Sequence, residues 1–441
     1  MRRRVVITGM GCVTPLGQGV ENFWAALLAG KSGFNRTSVF DASTFPTNFC
    51  AEVKDLRMPE RIARSGLHAH AGRHTCFALA AAVEAWESCG LEASGAYNPQ
   101  RTGIYLGAGE GRLDFENFVS LLVDGWRDGK LDTARWAELA FQRMDVHREQ
   151  EQESHMTVSH LVAEFGIRGP AFNVLTACAA STQAIGEATM IVRRGDADVM
   201  VTGGAHSMIH PLGVTGFNRL TALSRRNDEH LTASRPFNLT RDGFVLGEGS
   251  SILVLEEYEF ARRRGAKFLC EIIGYGSSAD AFRITDQDPD GEGAAGTMRA
   301  ALADAGIAPE QVDYISAHGT GTKQNDQVET RAVKAVFGPQ TKVGDPIPTC
   351  VGTRLGIPPV SSVKGSMGHL IAAAGATELI TCILAIRDQI LPQTANLTTP
   401  DPDCDLDYVP CKPRKAKVNV CLSNSFGFGG QNDTLIIRRA E

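Results

Sequence analysis

The feature that most constrains this chain is an alternation kept up along nearly its whole length. Short Val- and Ile-rich runs ("RRVVITGM", "RTGIYLGAG", "AFNVLTA", "DVMVTGGA", "SSILVLE") take turns with helical patterns such as "ENFWAALLAG" and "HTCFALAAAVEAWESCG". Apolar runs bounded by turn residues suit buried strands, and intervening helices supply the crossovers a sheet needs, so the expected class is α/β. After about residue 260 the alternation resumes with "AKFLCEIIGYGSS", "AGTMRAALADAG", "VDYISAHG", "PPVSSVKG", "HLIAAAGATELITCILAIRD" and "VNVCLSNSFGFGGQNDTLIIRR". Two α/β halves are expected, 1–259 and 260–441, although no residue-level repeat is visible between them. The segment from about 112 to 160 breaks the pattern, being long, charged and helix-prone ("ARWAELAFQRMDVHREQEQESH") with no strand signal. Trp, Phe and Met among its charges mark it as an excursion over the core or between subunits, not a linker.

A net charge of -6 gives no global reason to bind nucleic acid or anionic membrane. The 11 cysteines are scattered, odd in number and never in C-x-x-C pairs, which argues against a disulfide framework and a zinc ribbon and points to a reducing, cytoplasmic compartment. "MRRRVVITGMGCVTPLG" reads better as a first strand and loop than as a signal peptide. "LIAAAGATELITCILAI" carries Glu378 and is short for a span, so it reads as a buried helix.

One thiol stands apart. Cys178 lies between "AFNVLTA" and "ASTQAIGEATMIVRRGDA", where Ala184, Ala188 and Ile191 recur at helical spacing. That places its sulfur at a helix N-terminus, where exposed N–H groups and the helix dipole favour a thiolate. Ala177, Ala179 and Ala180 leave room for a bulky acyl group, so Cys178 reads as a nucleophile and the other cysteines as inert core.

A nucleophile needs groups that move protons or hold charge. His318 in "YISAHGTGTKQND" follows an apolar run, and His369 in "SSVKGSMGHLIAAAGATE" precedes a helix. Either alone could be a core histidine; both at strand ends beside glycine suggest imidazoles converging on one site. Lys364 lies close before His369, and a lysine that deep needs a carboxylate, for which Asp326 and Glu329 in "KQNDQVET" are candidates. The loop "SNSFGFGGQN" matches neither phosphate-binding glycine pattern. Its backbone N–H groups could serve an oxyanion instead, with Phe426 and Phe428 as apolar walls. "GMGCVTPLG" is a dinucleotide decoy, since Pro15 follows too soon, and "HAHAGRH" (His68, His70, His74) mimics a metal site but reads as surface histidines.

Taken in order, "TACAAS", "AHGTGTKQND", "SSVKGSMGHLIAAAG" and "NSFGFGGQN" closely resemble the β-ketoacyl-acyl carrier protein synthases of the thiolase superfamily, particularly the elongating, KAS II-like condensing enzymes. With "ALSRRNDEHLTASRPFNLTRDGFVLGEGSSILVLEEYEFARRRGAKF" the resemblance covers nearly the whole chain. It implies a thiolase-like fold, two similar halves packed into a layered α-β-α-β-α core. It implies Cys178 as acyl acceptor, His318 and His369 as the pair assisting malonyl decarboxylation, and Lys364 as the conserved lysine with Glu329 as its carboxylate. The N–H groups of Cys178 and Phe428 would form the oxyanion hole, with Phe428 also gating the acyl tunnel. Thr320 and Thr322 match the threonines that hydrogen-bond phosphopantetheine, and Phe426, Phe217, Phe244 and Glu110 would border substrate. Making the enolate by loss of CO2 needs imidazole donors in a dry pocket and neither metal, nucleotide nor flavin.

The implied partners are an acyl carrier protein bearing acyl and malonyl groups and a second copy of the chain, with no nucleic acid and no membrane. A carrier of that kind is acidic, so it would dock on a local basic area. Candidates are Lys54, Arg57, Arg61 and Arg64, or Arg219, Arg225 and Arg226. Glu110 stands where the elongating enzymes commonly carry an apolar residue, which questions a long saturated chain as substrate. The family also contains non-catalytic partner subunits that have lost the nucleophile, and retention of Cys178, His318, His369 and Lys364 favours catalysis. Fatty acid and polyketide assembly stay open at this level, as do homodimer and heterodimer.

Overall fold

In the computed structural model, which describes residues 2–109, 111, 113–338 and 356–440, the Val- and Ile-rich runs become strands of one sheet. Numbering the strands of its main path in chain order, these are β1 (Val5–Thr14), β2 (Thr102–Ala108), β3 (Ala171–Val174), β4 (Val199–His206) and β5 (Gly249–Glu257), then β6 (Cys270–Ala279), β7 (Tyr314–Ser316), β8 (Val360–Ser361), β9 (Val420–Phe426) and β10 (Gln431–Arg438). Across the sheet they stand β8-β7-β9-β10-β6-β1-β5-β4-β2-β3. Outward from the middle, β1-β5-β4-β2-β3 is the same path as β6-β10-β9-β7-β8. The directions agree too. β3, β2 and β4 are mutually parallel, with β5 and β1 antiparallel beyond them. β8, β7 and β9 are likewise parallel, with β10 and β6 antiparallel beyond them. The halves join where Val5–Ile7 of β1 pairs antiparallel with Cys270–Ile272 of β6.

Two helices, Ala180–Arg194 and Ala374–Asp388, touch strands of both halves and each other, and form the inner layer. A helix walled in on all sides has to be apolar all round. Every residue of the second from Ala374 to Ile386 is buried, which is why "LIAAAGATELITCILAI" looks span-like without being one. The helices Arg73–Cys89 and Glu292–Ala305 cover the outer faces of the two halves, giving the five-layer α-β-α-β-α order. Phe77 and Trp86 on the first of these are fully buried, each contributing about 2–3 kcal/mol of apolar burial.

The glycines of "GMGC" serve this packing. A Cβ on Gly9 would lie 2.2 Å from the Ala85 carbonyl oxygen, and one on Gly11 2.1 Å from that of Ala81. β1 and the helix Arg73–Cys89 therefore touch backbone to backbone, and the glycines answer to sheet–helix contact, not to a phosphate.

The excursion is helical as expected, with helices Phe115–Gly125, Thr133–Arg143 and Met156–Phe165. It differs in one respect: a hairpin of two-residue strands, Trp126–Arg127 and Lys130–Leu131, closes over Asp128-Gly129. Both turn residues have positive φ, the conformation that Asp-Gly suits. The first two of these helices share a small core of Leu121, Leu139 and Ala140. Glu110 lies outside the described residues. Cys12, Cys50, Cys89, Cys178, Cys270, Cys382, Cys404 and Cys421 are free thiols, and none of the described helices is long and apolar enough to cross a membrane.

Candidate active site

Cys178 sits on the tight turn Ala177–Ala179 between β3 and the helix Ala180–Arg194. Ala177 takes a positive φ of 47°, a strained conformation for a residue with a Cβ, and the bend leaves the next side chain at the head of the helix. From the other half, His369 is pinned by backbone pairing, donating to Val245 O at 2.8 Å while accepting from Gly247 N at 2.9 Å. His318 follows β7 directly. Residues far apart in the chain thus meet: His369 Nε2 is 3.0 Å from Cys178 Sγ, and the two imidazoles stand edge to face with centroids 5.3 Å apart.

Hydrogen bonds assign the tautomers. Ile371 N–H donates to His369 Nδ1 at 3.1 Å, so the ring proton lies on Nε2, aimed at the sulfur. His318 Nδ1 faces the Lys364 ammonium at 3.5 Å, which leaves its proton on Nε2 as well. Burial first, and Lys364 second, hold both imidazoles well below the ordinary histidine value, so both are neutral donors. Burial pushes the Cys178 thiol up to about 11, against the Lys364 charge and the N–H groups of Phe428 and of Cys178 itself.

Lys364 corrects one expectation. Its partner is neither Glu329 nor Asp326: the ammonium pairs with Glu378, on the helix that follows His369, and donates to His318 O at 2.6 Å. Glu329 instead accepts the backbone N–H groups of His318 at 2.9 Å and Gly319 at 2.7 Å, fixing the turn that presents His318. Asp326 faces buried Arg241 at 3.3 Å. Burial pushes both Glu329 and Glu378 up to about 7. Glu378 was visible in the sequence as the carboxylate inside an apolar run, but spacing alone does not say that it reaches back fourteen positions to the lysine.

The groups open on a cavity of about 540 Å³ lined by Cys178, Phe244, His318, Thr320, Thr322, His369, Phe426 and Phe428. The Thr320 and Thr322 hydroxyls are 2.9 Å apart on its wall. Phe217 stands behind Phe244, ring centroids 5.5 Å apart, and does not line the cavity. Phe428 is 38% exposed at the mouth. A second cavity of about 290 Å³, sharing Thr221 with the first, is lined by Arg219 and Arg225. Neither arginine has an ion-pair partner among the described residues, whereas Lys54, Arg61 and Arg64 are bound to Glu52, Glu164 and Glu60. Cys178, His318 and His369 could in outline ligate a cation, their ligand atoms lying within 4.8 Å of one another. The donor set does not suit one: both ring nitrogens facing the site carry protons, and the Lys364 charge lies behind them. Two of the "HAHAGRH" histidines also depart from expectation, His68 and His74 being buried: His68 in the loop that folds under the excursion against His160, and His74 in the first turn of the helix Arg73–Cys89.

A duplicated α/β frame that carries its cysteine on one half and its imidazoles on the other defines the class of thiolase-fold condensing enzymes. Comparison with known proteins narrows it. Residues 2–261 match the family described as Beta-ketoacyl synthase, N-terminal domain, and residues 269–398 match its C-terminal domain. The chain belongs to the β-ketoacyl synthase family. It is 42% identical over 441 residues to the 3-oxoacyl-[acyl-carrier-protein] synthase 2 of Coxiella burnetii, covering 99% of each chain. The protein of that name in Vibrio harveyi is 38% identical, again over 99% of both. Among solved structures, a beta-ketoacyl synthase from Burkholderia phymatum superposes with a TM-score of 0.86 at 31% identity, over 100% of both chains. A type II polyketide ketosynthase, in complex with its acyl-carrier protein and bound to a hexaketide, gives 0.83 at 32%, also over 100% of both.

Proposed function

We propose that this chain is a β-ketoacyl-acyl carrier protein synthase joining a Cys178-bound acyl group to malonyl carried on acyl carrier protein, in fatty acid or type II polyketide assembly. The observation that carries the reading is the 3.0 Å approach of a protonated His369 Nε2 to Cys178 Sγ beside a second neutral imidazole. In the transfer step the sulfur bonds to the acyl carbonyl carbon as the bond to phosphopantetheine breaks, and the thiol proton leaves on the pantetheine sulfur. In the second step the malonyl carboxylate leaves as CO2 and its electron pair passes to the thioester oxygen, where the Nε2–H groups of His318 and His369 receive the charge. The enolate carbon then attacks the Cys178 thioester. The N–H groups of Cys178 and Phe428 hold the tetrahedral oxygen until the C–S bond breaks. Neutral imidazoles suit this chemistry, because donors, not bases, are what decarboxylation requires. Lys364 and Glu378 orient His318, and Glu329 holds the turn that carries it. Thr320 and Thr322 are placed to bond the pantetheine amides, with Phe426, Phe244 and, behind it, Phe217 as apolar walls.

On this reading the half 1–259 supplies the nucleophile and the half 260–441 the histidines and lysine. The carrier docks at Arg219 and Arg225, which are free to meet acidic side chains beside the cavity mouth. The enzyme is cytoplasmic, which cell fractionation tests, and it works as a homodimer through the open edge at β3. Intact-mass measurement after incubation with acyl-carrier protein tests the core of the reading. Acyl mass is expected on Cys178 and absent in Cys178→Ala, and no acylation with any donor would rule out catalysis. Arg219→Glu with Arg225→Glu is expected to raise KM for carrier-bound acyl groups about tenfold and to spare a pantetheine thioester. Equal effects on both donors would remove the docking assignment.

A further inference from the structure

Away from the cavity, two histidines meet nitrogen to nitrogen. His68 Nδ1 lies 2.8 Å from His160 Nδ1, while His68 Nε2 is 3.0 Å from Glu164 Oε2 and His160 Nε2 is 2.8 Å from Glu151 Oε1. Arg61 donates to the other oxygen of Glu164 at 2.7 Å, and Gly72 N–H to the other oxygen of Glu151 at 3.1 Å. Both carboxyls are thereby held as acceptors, so each Nε2 carries a proton. If both rings were neutral, two lone pairs would then face each other across 2.8 Å. We propose that His68 and His160 share one additional proton between their Nδ1 atoms, as a positioning pair that anchors the excursion behind the nucleophile's helix. A metal does not fit between them, since each nitrogen would need to stand about 2.0–2.1 Å from it with its lone pair converging on it, whereas these atoms point at one another.

The proton count sets the behaviour. Removing the shared proton turns two lone pairs head on, and adding another turns two N–H groups head on. The contact therefore holds only while the pair carries that one proton, and loosens on both sides of the window.

What it holds leads to the site. His68 and Gly72 precede the helix Arg73–Cys89, and Glu151, His160 and Glu164 belong to the excursion or its last helix. The Glu151 and Gln152 carbonyls press on Gly111, where a Cβ would come within 2.4 and 2.2 Å of them. Gly111 is in the turn that leaves β2, and Gly107 near the end of β2 abuts the Ala180–Ser181 backbone at the start of the nucleophile's helix, 2.5 Å from a would-be Cβ. Other charged or titratable groups face the pair. Glu92 approaches Arg61 at 3.8 Å, and His74 and His206 are buried and held by burial at about 4 and about 3, hence neutral. The exposed His70 and His147 rings stack 4.7 Å apart, with Asp145 beside them.

Hydrogen exchange of the full-length protein, read as protection of peptides within 151–165 from about pH 5 to 9, tests the pair. Wild type is expected to reach a maximum and lose about tenfold in protection on either side, the loss of one charge-assisted hydrogen bond. His160→Gln, whose amide both donates and accepts at every pH, is expected to flatten the profile. His147→Gln is expected to keep it. A His160→Gln profile that follows wild type, or its loss in His147→Gln, overturns the proposal. If His160→Gln fails to fold, a low-field imidazole N–H resonance coupled to both Nδ1 atoms in histidine-labelled wild type takes its place, and its absence throughout the range is equally fatal. Exchange needs no acyl donor, so this outcome is separate from the carrier-protein reading. Where that reading holds, the ratio of His160→Gln to wild-type acylation rate of Cys178 is expected to rise about threefold or more at both ends of the range, and a constant ratio counts against coupling to the site.

Discussion

Lys364 is a fully buried cation, and its neighbourhood explains both its place and its cost. Glu378 balances the charge, His318 O takes one further proton, and the remaining face of the ammonium keeps the His318 ring in its neutral tautomer. Breaking a buried pair from one side leaves a charge without compensation. Glu378→Gln is expected to cost about 3–5 kcal/mol in urea unfolding, and Glu378→Gln with Lys364→Met to recover most of it. Full loss in the double variant would show that packing, not charge, holds the site. The double variant should still lose condensation, because His318 is no longer oriented. The thiol yields a second expectation at this scale. Burial raises Cys178 to about 11, so at neutral pH it is protonated and its thiolate fraction climbs with pH. Iodoacetamide labelling of Cys178, followed by peptide mass, is expected to speed up about tenfold per pH unit between about 7 and 9. A plateau near neutrality would mean that Lys364 and the two N–H groups outweigh burial.

Between elements, distance is set by what a side chain would displace. β1 can lie against the helix Arg73–Cys89 only because Gly9 and Gly11 bring no Cβ to the Ala85 and Ala81 carbonyls, which do not retreat without moving the helix. Gly11→Ala is therefore expected to destabilise by about 3 kcal/mol or to prevent folding, whereas Ala82→Gly on the same helix should cost only about 1 kcal/mol. Comparable urea midpoints for the two would contradict the close contact. The same pair of elements shows where sequence reading succeeds and where it stops. All ten strands were legible as apolar, mostly Val- and Ile-rich runs; for those inside the sheet, burial on both faces enforces such runs, whereas β3, at the edge, is exposed at its start. The decoy at "GMGC" was recognisable, but its real purpose lies in a helix some seventy residues on. Cys178, His318 and His369 stood out because each follows or precedes an element with small residues around it. Glu378 as the lysine's partner, Ile371 N–H as the group that assigns the His369 tautomer, and the burial of His68 under the excursion were not legible. Each depends on a contact between segments that only the fold brings together. The hairpin at Asp128-Gly129 was missed for another reason: its turn signal is local, but its strands are too short to show alternation.

At the scale of the whole molecule, the repeated strand path leaves two sheet edges that are managed differently. β8 is buried, but β3 has exposed residues at its start, with Phe172 49% exposed and Leu175, just beyond it, 50% exposed. An open strand with apolar side chains presents unpaired backbone groups to any matching strand, and in the proposed homodimer that strand would be its own copy across a two-fold axis. The excursion adds apolar surface, Phe141 being 95% exposed on the helix Thr133–Arg143 and Trp126 59% exposed on the hairpin, over a core that is small. Pairing at β3 would continue the sheet from one chain into the next, with the helix of each nucleophile one strand away from the joint. Sedimentation velocity at micromolar concentration is expected to give a dimer. Phe172→Asp, which places a charge on the pairing face without touching a buried residue, is expected to weaken self-association about a hundredfold or more while the monomer keeps its helical circular dichroism. A monomeric wild type, or a Phe172→Asp dimer of undiminished affinity, would move the joint away from β3. Wild-type acylation that survives in the monomeric variant would show in addition that each chain carries a complete site.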